Sequence, residues 1–469
     1  MAQSAARIAG PGRIEPSATL DSFMLPLAAC AFALIVEPLI LYYVTEGGRA
    51  LKAGLDARPE TRIFWPAMAA MTIIMLARHR SRLTKIPTNL VWFFAYLALA
   101  GTSVIWAYKP EASFVRFLQQ FMVSVSVIVP ALMASRTSDL MRALFWCFAI
   151  SGVLNFAFAM TGTQTLADGV VIGNPGYMLG KNYLGECSGI AFLLSLHEVR
   201  YRGARRWIGL LMTGVAVANL ILANSKTAMA LSFLAPALAV FFMALWKWKR
   251  ISPPLVIFSV VAVYLVVSTI SSFNVYRISY ILYHDSTFTG RQSIWNFALS
   301  EIDARPLLGW GYQSFWLVGP DAPSVVEAPG FVKNMPNAHN GYIDAMLELG
   351  WVGFVLLLTF LSTTLHACGR IVDRSPGRGL LLLSLFIYIA ISNGLESTLV
   401  RGYEFLWITF LFVAAEIGRH GQAVPATARA GQSGPKGARP GRIGPPSRAA
   451  GHIPRRPRLV PTSQATMRP

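Results

Sequence analysis

Twelve apolar runs punctuate the chain, near 23–44, 63–77, 88–106, 114–134, 140–162, 182–196, 207–222, 227–246, 254–272, 341–366, 379–396 and 403–417. Some reach the roughly 20 residues that an α-helix needs to cross hydrocarbon, and others fall short of it. In lipid, only helices and closed barrels satisfy their own backbone polar groups. The pattern predicts an all-α, polytopic transmembrane bundle of about twelve helices. One gap breaks the rhythm. Residues 273–338 form a 66-residue loop with both signs of charge and the aromatics Trp295, Phe297, Trp310, Tyr312, Phe315 and Trp316. Within it, Ile294, Phe297, Ala298 and Ile302 fall on one face of a helix over 291–304, which Pro306, Gly309 and Gly311 then end. A long structured loop in a compact domain is more often functional than incidental.

Composition strengthens the membrane reading. Hydrophobic residues make up 54% of the chain and charged residues 13%, too apolar a balance for a soluble domain of ordinary usage. The net charge of +19 could suggest nucleic acid, but its distribution argues against that. From Gly418 onward there are ten Lys or Arg and no acid, among many Pro and Gly. Such a tail is expected to be disordered and to lie in the cytoplasm, where it can touch anionic membrane lipid. In the short loops, one alternate set holds fifteen cations and the other eight. The richer set belongs inside. Both termini are then cytoplasmic, and the long loop lies outside, on the periplasmic side if the cell has an outer membrane. The expected layout is a cytoplasmic segment 1–22, nine helices over 23–272, the loop 273–338, three helices over 339–417, and the basic tail 418–469.

The chemistry must come from polar groups that this topology gathers on one face. His339 lies in Asn337-Ala338-His339-Asn340-Gly341-Tyr342, where the loop enters the tenth helix. Histidine suits a general base near neutral pH, although an interfacial or capping histidine is the plainer alternative. Glu348 follows about 13 Å down the helix, and a carboxylate there needs a partner or a wet cavity. Glu37 and Glu186 pose the same question. Lys226, Arg291, Arg401 and Lys181, the last followed by Asn182, are scattered in sequence but share the outer face. Such a set fits a diphosphate leaving group, on which negative charge builds as the bond breaks. Each cation alone would serve a lipid phosphate equally well.

No Gly-rich phosphate loop, HExxH, CxxC or paired acidic motif is present. No metal or cofactor is therefore expected, and the reaction's energy should arrive in a preformed lipid-linked donor. The lack of a clear internal repeat weakens the case for a transporter or flippase of the same lipid-linked sugars. Glu37 and Glu186 keep that alternative open.

Four patches in order carry a resemblance. They are Ser225-Lys226-Thr227-Ala228; Thr289-Gly290-Arg291 with Trp295; Arg305-Pro306-Leu307-Leu308-Gly309-Trp310-Gly311; and His339-Asn340-Gly341-Tyr342 with Glu348-Leu349-Gly350. Over about residues 180–360 the chain resembles the O-antigen ligase and polymerase superfamily of bacterial membrane proteins. Lys226, where ligases usually have arginine, and Gly180-Lys181-Asn182 look more like the ExoQ-type exopolysaccharide polymerases. The resemblance implies metal-independent, inverting glycosyl transfer from a glycan on undecaprenyl diphosphate. By that likeness His339 assists the acceptor hydroxyl. Lys226 and Arg291 hold the diphosphate, with Arg401 and Lys181 as further candidates. Asn340, Tyr342, Glu348, Asn182 and Trp310 are expected to support the site or bind acceptor, and loop aromatics to stack on sugars. The loop itself is expected to act as a lid. The implied product is an exopolysaccharide chain. Chain-length and export proteins would be partners. The alternative acceptor, lipid A-core, would make the protein a ligase.

Overall fold

A computed structural model describes residues 16–44, 59–80, 83, 86–134, 137–161, 165–167, 170–178, 180–271 and 290–421. The tail beyond residue 421, the first fifteen residues and 272–289 of the loop lie outside that set. So do Arg49, Lys52, Arg58, Arg82, Lys85 and Arg136 of the charge count.

Each of the twelve apolar runs falls on helix. The first covers α1 (Pro16–Ala31), a π-helical turn (Phe32–Val36) and α2 (Glu37–Val44). Then follow α3 (Pro59–His79), α4 (Thr88–Thr102), α5 (Pro110–Met133), α6 (Thr137–Thr161), α7 (Lys181–Val199), α8 (Ala204–Ala223), α9 (Lys226–Lys249) and α10 (Pro253–Ile270). The loop contributes α11 (Arg291–Ala304) and a single turn, α12 (Pro323–Val326). The last three are α13 (Gly341–Arg374), α14 (Pro376–Ser392) and α15 (Phe405–Gly421). Proline opens α5, α10 and α14 at the first turn, where its missing N–H costs nothing. A short antiparallel pair, β1 (Thr165–Ala167) with β2 (Val170–Gly173), adds the strand structure that the helical reading did not include.

Among the described residues, eight helical segments are long and apolar enough to cross a membrane. The remaining runs lie on α3, α7, α14 and α15. In α7 the polar residues Lys181, Glu186, His197 and Glu198 dilute the apolar stretch. Two helices show what the bilayer contributes. α15 is buried on every side from Phe405 to Gly418 and apolar to Ala415 but for Thr409, packed against α4, α5, α13 and α14, as a helix hydrophobic all round should be at the centre. Trp407 stacks on Phe410 there and meets Phe93 of α4. α10 is as apolar as any span, yet of its residues only Pro253 is buried. Water would not tolerate that surface, whereas lipid does.

The described part of the loop is built around a hydrophobic core of its own. Its expected helix is present as α11, and Ile294, Phe297, Ala298 and Ile302 are all buried. They form one hydrophobic core with Trp295, Trp310, Phe315, Trp316, Val332 and Leu347. The following segment then splices into α13. That helix breaks at Gly350, whose φ is +63°. Two carbonyls that would have bonded one turn ahead instead accept from the loop, Leu347 from Trp310 and Glu348 from Gly311, both at 2.9 Å. The amides of Trp351 and Val352 donate to Pro306 and Leu307, at 2.8 and 3.3 Å. The loop thus pairs the two carbonyls and two amides whose helical bonds the break removes, as burial demands. A side chain at Gly350 would meet Leu307 backbone at 2.2 Å, and one at Gly309 would meet the Glu348 carbonyl at 2.6 Å. The α4–α5 turn braces the other side, through Tyr108 N–H to the Trp310 carbonyl and Trp106 Nε1 to the Leu308 carbonyl.

Candidate active site

The turn into α13 is held from all sides. His339 has a φ of +48°, a left-handed conformation uncommon for a residue with a side chain. The Asn337 side chain accepts its amide at 2.9 Å. Ala338 donates its N–H to Asp344 and accepts from Trp295 Nε1 of α11. Asn340 N–H donates to Ser397, while its side chain caps α13 by accepting the amides of Tyr342 and Ile343. Tyr342 ties α13 to α14 through its hydroxyl and the Ala390 carbonyl. Asn340 and Tyr342 therefore fix the position of the histidine. Strain of this kind persists only where the surroundings enforce it, which is typical of functional sites.

The histidine side chain meets two residues from distant parts of the chain. His339 Nδ1 donates to Glu396 Oε2 at 2.9 Å, and Arg291 Nη2 donates to Glu396 Oε1 at 2.7 Å. Asn182 of α7 donates to the same Oε1 at 3.2 Å, and Ser225, just before α9, donates to Asn182 at 3.4 Å. All three members of the central cluster are partly exposed, His339 at 30%, Arg291 at 20% and Glu396 at 23%. Burial alone would push the Glu396 carboxyl up. The hydrogen bond from His339 and the charge of Arg291 outweigh it and hold the group below the usual carboxylate range.

A second, deeper cluster lies beside the first. Arg401 pairs with Asp344 Oδ2 and Glu348 Oε1, each at 2.9 Å. Burial works against the charge on Arg401, but the two carboxylates win and raise its pKa. Asp344 also accepts from Trp316 Nε1, Ser397 Oγ and Ala338 N–H. Glu348 thus has its partner inside the bundle and also borders a cavity of about 300 Å³, lined further by Arg116, Gln313, Asn337, Ser397 and Arg401. A much smaller hollow of about 30 Å³ touches Asn182, Ser225, Arg291 and Glu396. Glu186 lines it and accepts from Ser392 at 2.6 Å, while Glu37 lines the larger cavity.

Of the residues singled out in the sequence, Arg291, His339 and Asn182 come together directly. Lys226 is the first residue of α9 and exposed, next to Ser225 and Thr227 of the small hollow. Lys181 opens α7 beside Asn182 and is half-buried. Trp310 is in the loop core, its indole N–H committed to the Glu301 carbonyl at 3.1 Å. The expectation that loop aromatics stack on sugars therefore needs correcting. Five of the six are buried in a core that belongs to the loop itself and Tyr312 in the main core of the bundle, and of the six only Trp316 borders the large cavity. Sequence reasoning missed Glu396, Asp344 and Ser397. Glu396 had a readable signal, being the lone acid between Pro376 and Tyr403 and lying at a helix exit.

Comparison with known proteins covers part of this site. Residues 190–358 match the family model described as O-antigen ligase. That segment contains Lys226, Arg291, His339 and Glu348 but ends before Glu396 and Arg401. Over 283 residues the chain is 25% identical to the exopolysaccharide production protein ExoQ of Rhizobium meliloti (strain 1021), a match covering 58% of this chain. It spans 64% of that relative's length, just under two thirds. All four resembling patches lie within the segment that the family model matches.

Proposed function

We propose that the protein polymerises oligosaccharide repeats carried on undecaprenyl diphosphate into exopolysaccharide, on the periplasmic side of the inner membrane. One observation carries the reading. Arg291, His339 and Glu396, from three separate parts of the chain, form one bonded cluster on a braced turn. Glu396 accepts a hydrogen bond from the Nδ1–H of neutral His339, which leaves Nε2 as the proton acceptor. The acceptor hydroxyl gives its proton to Nε2 as its oxygen bonds to the anomeric carbon. The bond from that carbon to the diphosphate breaks, and the electron pair leaves with the phosphate oxygen. Attack opposite the leaving group inverts the anomeric centre. Arg291, with Lys226 at the mouth, stabilises the developing charge. The chemistry asks nothing of a metal.

The test is to replace His339 by Ala and follow the chain length of secreted glycan. Normal long polymer from well-expressed H339A would sink the assignment. The family description favours one second reading, transfer of a finished glycan to lipid A-core. Only the acceptor differs. Deletion of the gene separates the two: loss of polymer with intact lipopolysaccharide supports polymerisation, and unattached glycan on its carrier lipid supports ligation.

A further inference from the structure

The end of the bundle opposite His339 holds another polar cavity, of about 270 Å³. α7 runs from Lys181, beside the reactive cluster, to Val199, and α13 runs from Gly341 to Arg374. Their far ends therefore lie on the other face. There His197, Arg200, Tyr201 and Arg205 meet Ser375, Gly377 and Arg378 of the turn into α14. Glu198 also borders the cavity, but Arg205 holds its carboxylate with two hydrogen bonds of 2.7 Å. The same guanidinium lies 3.5 Å from the Tyr201 ring centroid. The Arg205–Glu198 pair is electrically neutral.

The remaining cations are not neutralised. Among the described residues, neither Arg200 nor Arg378 pairs with an acid. The Arg200 guanidinium lies 2.4 Å from where a Cβ on Gly377 would be, so the glycine lets this side chain lie along the start of α14. No side chain caps that helix, and the amides of a first helical turn add positive potential. None of these groups takes part in glycosyl transfer.

We propose that this cavity binds a phosphate group, with the two free guanidinia as its principal contacts. Arginine's planar fork matches phosphate oxygens, and basic pockets between membrane helices suit anionic lipid headgroups. The two sources of such a group are an anionic phospholipid and a soluble phosphate.

Native mass spectrometry of the full-length protein in detergent tests this. Cardiolipin, phosphatidylglycerol and phosphatidylcholine are added in turn, and inorganic phosphate in a separate arm. Adducts with the two anionic lipids are expected on the wild type. They should weaken about tenfold or more in R200Q/R378Q, since each cation near a membrane surface is worth about fivefold. G377A, which displaces Arg200, should give a smaller loss. Thermal unfolding should be unchanged in the double variant, because Arg200 is exposed and Arg378 partly so. Arginine-dependent binding of inorganic phosphate without lipid adducts would assign the site to a soluble phosphate. No binding by the wild type, or equal binding by the double variant, would overturn the proposal.

Discussion

Two ion clusters share the first turns of α13 and the segment between α14 and α15, yet they are built for opposite ends. In the deep one, Arg401 is spent on Asp344 and Glu348, and Asp344 accepts from three further donors. In the outer one, Glu396 engages only one nitrogen of His339, and all three partners keep contact with solvent. Residue type does not separate the clusters, because each combines carboxylate with cation. Access does: Asp344 and Glu348 are buried, whereas His339, Arg291 and Glu396 are all partly exposed. A buried ion-paired network fixes geometry, whereas an imidazole with one nitrogen anchored and the other free can move a proton.

The largest expected effect tests the open cluster. H339A should lower glycosyl transfer about 10²–10⁴-fold, the range for loss of a general base, with thermal unfolding in detergent unchanged. Loss of folding together with activity would show that His339 belongs to the architecture and would erase the contrast.

Next comes the closed cluster. R401M leaves Asp344 and Glu348 without their cation, and breaking a buried ion pair costs about 3–5 kcal/mol. The variant should unfold at markedly lower temperature. A variant as stable as wild type but inactive would move Arg401 from scaffold to substrate.

Much of this architecture was readable from the chain, and the exceptions have a physical cause. Hydrophobic runs located the helices because lipid demands them. Period alone placed Ile294, Phe297, Ala298 and Ile302 on the buried face of α11. It could not say that Trp310 and Phe315 pack inside the loop, since an aromatic residue suits a core and a sugar equally. The Arg305–Gly311 and Glu348–Gly350 patches stood out as motifs, but their union consists of main-chain hydrogen bonds, which side-chain patterns do not reveal. His339 and Arg291 were visible as polar residues in unusual places. Glu396 was absorbed into the end of an apolar run, and only the fold shows that it joins them.

A smaller effect separates packing from recognition. W310F removes the indole hydrogen bond to the Glu301 carbonyl, worth about 1 kcal/mol. Stability should fall by that order while polymer length stays the same. Shortened polymer at full stability would return Trp310 to the substrate path.

The smallest effect concerns the charge that keeps the open cluster open. Glu396 is held below the usual carboxylate range by His339 and Arg291 against the pull of burial. A carboxyl depressed in the folded state adds stability above its unfolded pKa, about 4.3, and loses it as pH falls through the lower folded value. The stability difference between wild type and E396Q should therefore be flat from neutral pH down to that region and shrink on further acidification. Its plateau should not exceed about 1 kcal/mol, because the pairs are partly exposed. Thermal unfolding of both proteins from neutral to acidic pH measures it. A difference that widened with acid would mean that the carboxyl is neutral in the folded protein. His339 would then lack the anion that fixes its tautomer, and the outer cluster would be as inert as the inner one.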